Sequence, residues 1–404
     1  MANVSVLDVL LYDEPIGTLT RVAGDRTLFA FNEDYIEDEN RPVLGLRFKD
    51  AFGELISEFK PTQTKVMPFF SNLLPEGHMR SYLAERAGLN SAREFFLLWV
   101  LGLDLPGAIT ILPADGEAWP SDIDIDGDHE DDRGENALRF SLAGVQLKFS
   151  AINEARCGLT IPAKGTGGSW IVKLPSREFA GVPENEYSMM TLARLIGINV
   201  PAVQLVDIGA IKNLPKGIGT MKGQALSIER FDRLQDGVVH IEDFAQIFDV
   251  YPEDKYKRAS ARNIARVIAA EGSEKDIVEF IRRLTFNTLI GNADMHLKNW
   301  SMIYPDRRNG ALAPAYDLVS TIPYIPDSNA ALNFSRTKRF DEFSEDELSH
   351  LAAKALLPEK LVIDTARETV ALFHQHWQAE KANLPLAADI VRAIESHIQT
   401  IPIA

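Results

Sequence analysis

The sequence predicts an α+β chain: a compact α/β unit, then a strand-rich lobe, then a helical lobe. Three observations predict it. Strand-like apolar runs dominate from Leu138 to about Arg233. From Ile241 onward apolar residues recur at helical spacing. Between the first unit and the strand-rich part, residues 114–135 are acidic and poor in large apolar side chains, as an exposed linker is.

Within residues 1–113, Val4 to Tyr12 reads as a strand, with Ile16 to Arg21 and Arg26 to Phe31 as partners. Pro75 to Ala87 reads as a helix stopped by Gly88, and Ala92 to Leu101 as a strongly apolar helix. In the acidic linker, Asp122 to Asp132 imitates the start of a calcium loop. Its twelfth position is Arg133 rather than a bidentate glutamate, so a solvated linker is expected. The strand-rich part, 136–233, contains Leu138–Phe140, Gln146–Phe149, Ser169–Lys173 and Ala225–Glu229. One helix interrupts it, with Met189, Leu192, Ala193 and Ile196 on one face and Gly197 as its C-cap. In 234–404, Ile277, Phe280, Ile281 and Leu284 form an apolar stripe behind a Ser273/Asp276 N-terminal box. Leu386, Ile390, Ile394 and Ile398 mark a last helix.

Composition excludes several classes. A net charge of −16 argues against gripping nucleic acid through the general surface, leaving that contact to a local basic patch or a partner. The single cysteine, Cys157, excludes an internal disulfide and a multi-cysteine zinc site. His374-x-His376 lacks a carboxylate partner and is not expected to bind metal. The start, Met1 to Asp8, has no basic leader, and no run of eighteen apolar residues occurs; a reducing cytoplasm is the expected place.

The chemistry concentrates after the apolar stripe. Gly291 to Asn299 contains D-x-x-x-x-N, with Asp294, His296, Lys298 and Asn299, and Asp317 follows in the apolar run Tyr316–Val319. Phosphoryl transfer needs such a set: one carboxylate to position a hydroxyl and take its proton, an amide and a second carboxylate for magnesium. A lone carboxylate among apolar side chains is costly to bury unless a cation compensates. Lys173, ending an apolar strand, is the expected donor to ATP phosphates, with Glu186 as its partner. Ser141 to Lys148, including Ala143, Gly144, Val145 and Gln146, lies where a phosphate-covering loop belongs, although a hairpin turn fits the same residues. Glu229 to Phe231 would join the lobes and face adenine; an arginine–aspartate surface pair fits the same stretch. The reading is an ATP- and Mg2+-dependent kinase of protein-kinase-like bilobal build.

The whole chain resembles the HipA family of serine/threonine kinase toxins from type II toxin–antitoxin systems. The motifs that carry the resemblance are Ser71–Gly77, Ser141–Lys148, Ile171–Pro175, Asn185–Tyr187, Glu229–Arg233, the 291–299 run and Tyr316–Asp317. The resemblance implies Asp294 as catalytic base, with His296 and Lys298 in its loop. It implies Asn299 and Asp317 as magnesium ligands, Lys173 as the phosphate lysine, and Glu229 and Phe231 as the adenine hinge. It also implies autophosphorylation of Ser141, an off switch that ejects the phosphate loop. Leu147 stands where the family commonly carries an acidic side chain. Implied partners are a HipB-like helix-turn-helix antitoxin, operator DNA held mainly by that antitoxin, and an aminoacyl-tRNA synthetase substrate, notably the glutamyl enzyme. Two other functions fit the motifs: a small-molecule kinase, since the loop does not choose an acceptor, and a co-repressor subunit.

Overall fold

The computed structural model describes residues 5–86, 88–114, 148–154, 158–161, 168–176, 178–214 and 221–404. The loop segment Ser141 to Leu147, the Leu138–Phe140 run, the linker from 115 and Cys157 lie outside the described residues.

The first unit is a five-stranded antiparallel sheet in the order β4-β3-β2-β1-β5. Its strands are β1 (Val6–Leu11), β2 (Glu14–Val22), β3 (Arg26–Phe31), β4 (Thr62–Gln63) and β5 (Ile109–Pro113). Along β1, Leu7, Val9 and Leu11 alternate inward, the period of a half-buried strand. Tyr12 and Asp13, both at positive φ, close the two-residue turn to β2. Helices Gly77–Arg86 and Glu94–Leu101 follow. Phe29, Phe31, Phe48, Phe69 and Phe70 fill the core, with the Phe29 and Phe70 ring centroids 4.9 Å apart.

The strand-rich lobe is a second five-stranded antiparallel sheet, ordered β7-β6-β8-β10-β9. It contains β6 (Lys148–Glu154), β7 (Gly158–Thr160), β8 (Trp170–Lys173), β9 (Val203–Asp207) and β10 (Gln224–Glu229). The helix Val182–Leu195 packs behind β9 and β10. It presents Met189, Leu192 and Ala193 inward, and Gly197 takes the left-handed turn after it. After the short hairpin of β11 (Arg233–Leu234) and β12 (Gly237–Val238) comes the helical lobe.

That lobe is not purely helical, which corrects the expectation from Ile241 onward. It holds a small antiparallel sheet of β13 (His240–Asp243), β14 (Ser301–Tyr304) and β15 (Ala311–Leu312). These strands are two to four residues long, too short to print an alternating pattern against flanking helices. Helices Ala261–Glu271, Glu274–Leu289, Glu345–Ala355, Glu359–Glu380 and Ala388–Ile398 bury the largest core. Ser273 and Asp276 form the expected capping box. Ile390, Ile394 and Ile398 are buried in the last helix, while Leu386 packs on the core from just before it.

Candidate active site

The sheet side of the candidate site starts from a register. On the sheet, β6 pairs with β8 so that Lys148 stands directly opposite Lys173. Two like charges across a strand pair repel, so the arrangement needs an anion between them. Asp317 supplies it. Lys173 Nζ donates to Asp317 Oδ1 and to Glu186 Oε1, and Lys148 Nζ lies 3.7 Å from Asp317 Oδ2. Lys173 and Glu186 are almost fully buried. Burial works against every charge in the trio. Lys148 and Lys173 nonetheless hold the Asp317 carboxyl well below the usual range. Burial, with Asp317 adding to it, pushes Glu186 up. Asp317 is thus the carboxylate that both lysines reach.

Two side chains set this geometry. Asn185 Nδ2 donates to Ser320 O at 2.8 Å, and its Oδ1 accepts from Ser320 N at 3.1 Å. That pair ties the helix carrying Glu186 to the segment carrying Asp317. Asp317 itself adopts a left-handed backbone, φ 55°, which aspartate tolerates better than most residues.

The loop side is built from the end of the Glu274–Leu289 helix. Gly291 turns the chain at φ 65°, and a Cβ there would meet Ile322 Cδ1 at 2.5 Å. Asn292, missed by the sequence reading, is the junction. Its Nδ2 donates to Asn287 Oδ1 at 2.8 Å and to Asp317 O at 3.3 Å, and its Oδ1 accepts Asp294 N at 3.0 Å. Asn299 Nδ2 donates to Asp294 O at 2.9 Å, which leaves Oδ1 as the end suited to a cation. Asp294 accepts a hydrogen bond of 2.5 Å from the Tyr256 hydroxyl. Burial lifts the Asp294 carboxyl above the ordinary value, and the Tyr256 bond and Lys255 offset part of that rise. Tyr256 also sets its ring edge-on to His296, centroids 5.0 Å apart. His296 is buried, with Nδ1 unpartnered among the described residues, and burial pulls its pKa down to about 3. It is neutral at physiological pH.

Residues 7–112 match the HipA N-terminal domain family, and residues 140–377 match the HipA-like C-terminal domain family. The chain belongs to the HipA family. The Sinorhizobium fredii protein Y4dM, provisionally named a kinase, is 61% identical over 99% of this chain and 98% of its own length. The serine/threonine-protein kinase toxin HipA of Shewanella oneidensis is 28% identical over 65% of each chain. The structure of a Shewanella oneidensis HipA, HipB and operator DNA complex matches with a TM-score of 0.73 at 23% identity, covering 98% of this chain and 95% of that one. The fold is therefore that of HipA, a kinase-like bilobal architecture with an added N-terminal α/β unit.

In this HipA-family chain the added unit reaches the site at two points. At the lobe junction, Arg230 makes a paired contact with Asp232, 3.0 and 2.9 Å, and reaches Asp104 at 2.9 Å. Arg233 bonds Asp232 at 2.9 Å and the Leu105 and Gly107 carbonyls, each at 2.7 Å. The stretch is thus a buried dock for the first unit, not a surface pair. Glu229 N donates to Ala202 O and Arg230 N to Ser169 O, and the Phe231 ring faces Tyr316 at 5.8 Å. At the 291–299 loop, Lys298 Nζ donates to Asn72 O at 2.9 Å and pairs with Glu76 Oε1 at 2.9 Å. Glu76 Oε2 accepts from Lys255 at 2.8 Å. Lys298 thus turns its ammonium toward the first unit. Ser141, Ala143, Gly144, Val145 and Gln146 lie outside the described residues. Among those described, no group of three or more histidine, cysteine, aspartate or glutamate side chains could hold a metal, and no helix is long and apolar enough to cross a membrane.

Proposed function

We propose that the chain is an ATP- and Mg2+-dependent serine/threonine protein kinase, the toxin of a type II toxin–antitoxin module. The observation that carries this reading is the pair of facing lysines, Lys148 and Lys173, with the Asp317 carboxylate between them. Such a site fits a polyanion accompanied by a divalent cation. Asp317 and the Oδ1 of Asn299 are hard oxygen donors and would hold magnesium, which when bound neutralises charge on the nucleotide phosphates.

The residues of the chain divide the remaining work. Lys173, fixed by Glu186, and Lys148 offset negative charge on the phosphates. Asp294 accepts the acceptor hydroxyl's proton. The new bond joins that hydroxyl oxygen to the γ-phosphorus, the γ-phosphorus to β,γ-bridging oxygen bond breaks, and ADP leaves with that electron pair. The Tyr256 hydroxyl already sits on Asp294 at 2.5 Å, and an acceptor hydroxyl would take its place. Glu229 to Phe231 would receive adenine. Ser141 is the proposed self-acceptor, and a dianion in that loop would repel nucleotide phosphates.

The proposed partner is a HipB-like helix-turn-helix antitoxin that carries the operator DNA contact, in keeping with a net charge of −16 on this chain. The proposed cytoplasmic target is an aminoacyl-tRNA synthetase, the glutamyl enzyme first. The test is intact-mass and phosphopeptide analysis after Mg-ATP, beside Asp294→Asn and Ser141→Ala. One phosphate on Ser141, absent from both variants, is expected. A wild-type protein that labels neither itself nor any cytosolic protein would sink the reading.

A further inference from the structure

The motif Ser71-Asn72-Leu73-Leu74-Pro75-Glu76-Gly77 belongs to the first unit, yet two of its polar groups end at the catalytic loop. Asn72 O and Glu76 Oε1 both hold the Lys298 ammonium, each at 2.9 Å. Glu76 Oε2 holds Lys255 at 2.8 Å. Lys298 stands next to Asn299 in the loop. Lys255 stands next to Tyr256, whose hydroxyl lies on Asp294. The two segments also meet directly, through Leu297 N to Lys255 O at 3.4 Å. One carboxylate therefore grips both walls around the candidate base, from a different folding unit. The grip is mostly shielded from water, with the side chains of Lys298 and Lys255 14% and 18% exposed and that of Glu76 31%. Together the two lysines hold the Glu76 carboxyl down to about 2 despite its burial, so the anion persists across the physiological range.

We infer that Glu76 is a positioning residue for phosphoryl transfer, through which the N-terminal unit sets the catalytic loop. The inference rests on the kinase reading above. Glu76 touches none of Lys148, Lys173, Glu186, Asp317 and Asp294 among the described contacts. Its loss should therefore spare nucleotide binding and slow the transfer step. Small misplacements of a catalytic group cost large factors in rate, on the order of 10- to 100-fold.

The experiment compares wild type, Glu76→Gln, Lys255→Met and the double variant. It reads kcat and the KM for ATP in self-labelling or in transfer to a protein acceptor, and hydrogen exchange of residues 253–258 and 294–299. Glu76→Gln should lower kcat about tenfold or more while the KM for ATP stays within about twofold. Exchange should quicken in both segments. Lys255→Met should cost less, and the double variant no more than Glu76→Gln alone, because both act through one carboxylate. A Glu76→Gln protein with wild-type kcat and unchanged exchange overturns the inference. So does an equal loss in kcat and nucleotide affinity, the mark of a general fold defect. If Glu76→Gln does not fold, Lys255→Met decides by the same two readouts. If wild type transfers no phosphate, the kinase reading falls, and exchange alone still judges the positioning role.

Discussion

The two sides of the cleft are built by opposite means. On the sheet side a charged trio lies mostly in the protein interior: Lys173 is 5% and Glu186 2% exposed, and the Asp317 side chain, 21% exposed, closes the set. On the loop side the candidate base carries an exposed tyrosine, and the flanking lysines are held by a carboxylate from another unit. The first side is self-sufficient, since its partners come from the two kinase-like lobes. The second depends on docking of the N-terminal unit. In the proposed kinase, rigid charge geometry would serve the nucleotide, and the borrowed geometry would lie where the acceptor enters.

The largest expected effect tests the loop side. Asp294→Asn should lower the transfer rate about 10²- to 10⁴-fold with nucleotide binding retained, read by single-turnover phosphate transfer and direct nucleotide titration. Equal loss of both would erase the distinction between the two sides. Next comes Lys173→Met, which leaves Glu186 buried, and Asp317 partly buried, without their shared cation. It should cost about 3–5 kcal/mol of stability along with ATP affinity, measured by denaturant unfolding and titration. An unchanged midpoint would show that the trio contributes nothing to stability.

Docking itself can be probed through Glu242 on β13, whose Oε1 accepts Leu46 N of the first unit at 2.8 Å and the Tyr304 hydroxyl at 2.5 Å. Burial lifts its carboxyl from 4.5 to about 8. Between those values the folded state keeps a proton that the unfolded chain has released. Its contribution is therefore fully present below about pH 4.5 and is lost as pH rises through about 8. Glu242→Gln should flatten that decline, on the order of a few kcal/mol, in unfolding curves compared with wild type across this window. His240, drawn down to about 4 by burial, slopes the other way, and it cancels in the comparison. The smallest effect concerns Tyr256→Phe. Its hydroxyl offsets part of the burial that lifts Asp294, so its removal should lift that carboxyl further. Activity is lost as pH falls through that pKa, and the acid limb of kcat/KM should move to higher pH by up to about one unit. A shift to lower pH would mean that the limb belongs to another group.

What was legible in the sequence follows the same division. Lys173, Glu186, Asp294, Asn299 and Asp317 announce themselves because charged side chains interrupt apolar runs or follow them at fixed spacing. The structure brings Lys148, Lys173, Glu186 and Asp317 together, and joins Asp294 to Asn299 through a backbone bond. Asn292, Tyr256 and Glu76 were not readable as parts of a site. Asn292 works through three hydrogen bonds that no spacing rule encodes. Tyr256 lies 38 residues before its partner, and Glu76 more than 200 before Lys298. The first contact exists only once its lobe has folded, and the second only once separate units have docked. The strands of the helical lobe escaped for a simpler reason: runs of two to four residues carry too little pattern to outweigh their helical neighbours.

The dock at the lobe junction bears on timing. Asp104 and the Gly107 and Leu105 backbone of the first unit clamp Arg230, Asp232 and Arg233, while Glu76 clamps the loop below. A brace fixed at both lobes resists the hinge rotation that opens such a cleft. In the proposed kinase, release of spent nucleotide would then wait on the brace yielding. Loosening the junction through Asp104→Asn would quicken nucleotide exchange without touching a group that meets phosphate.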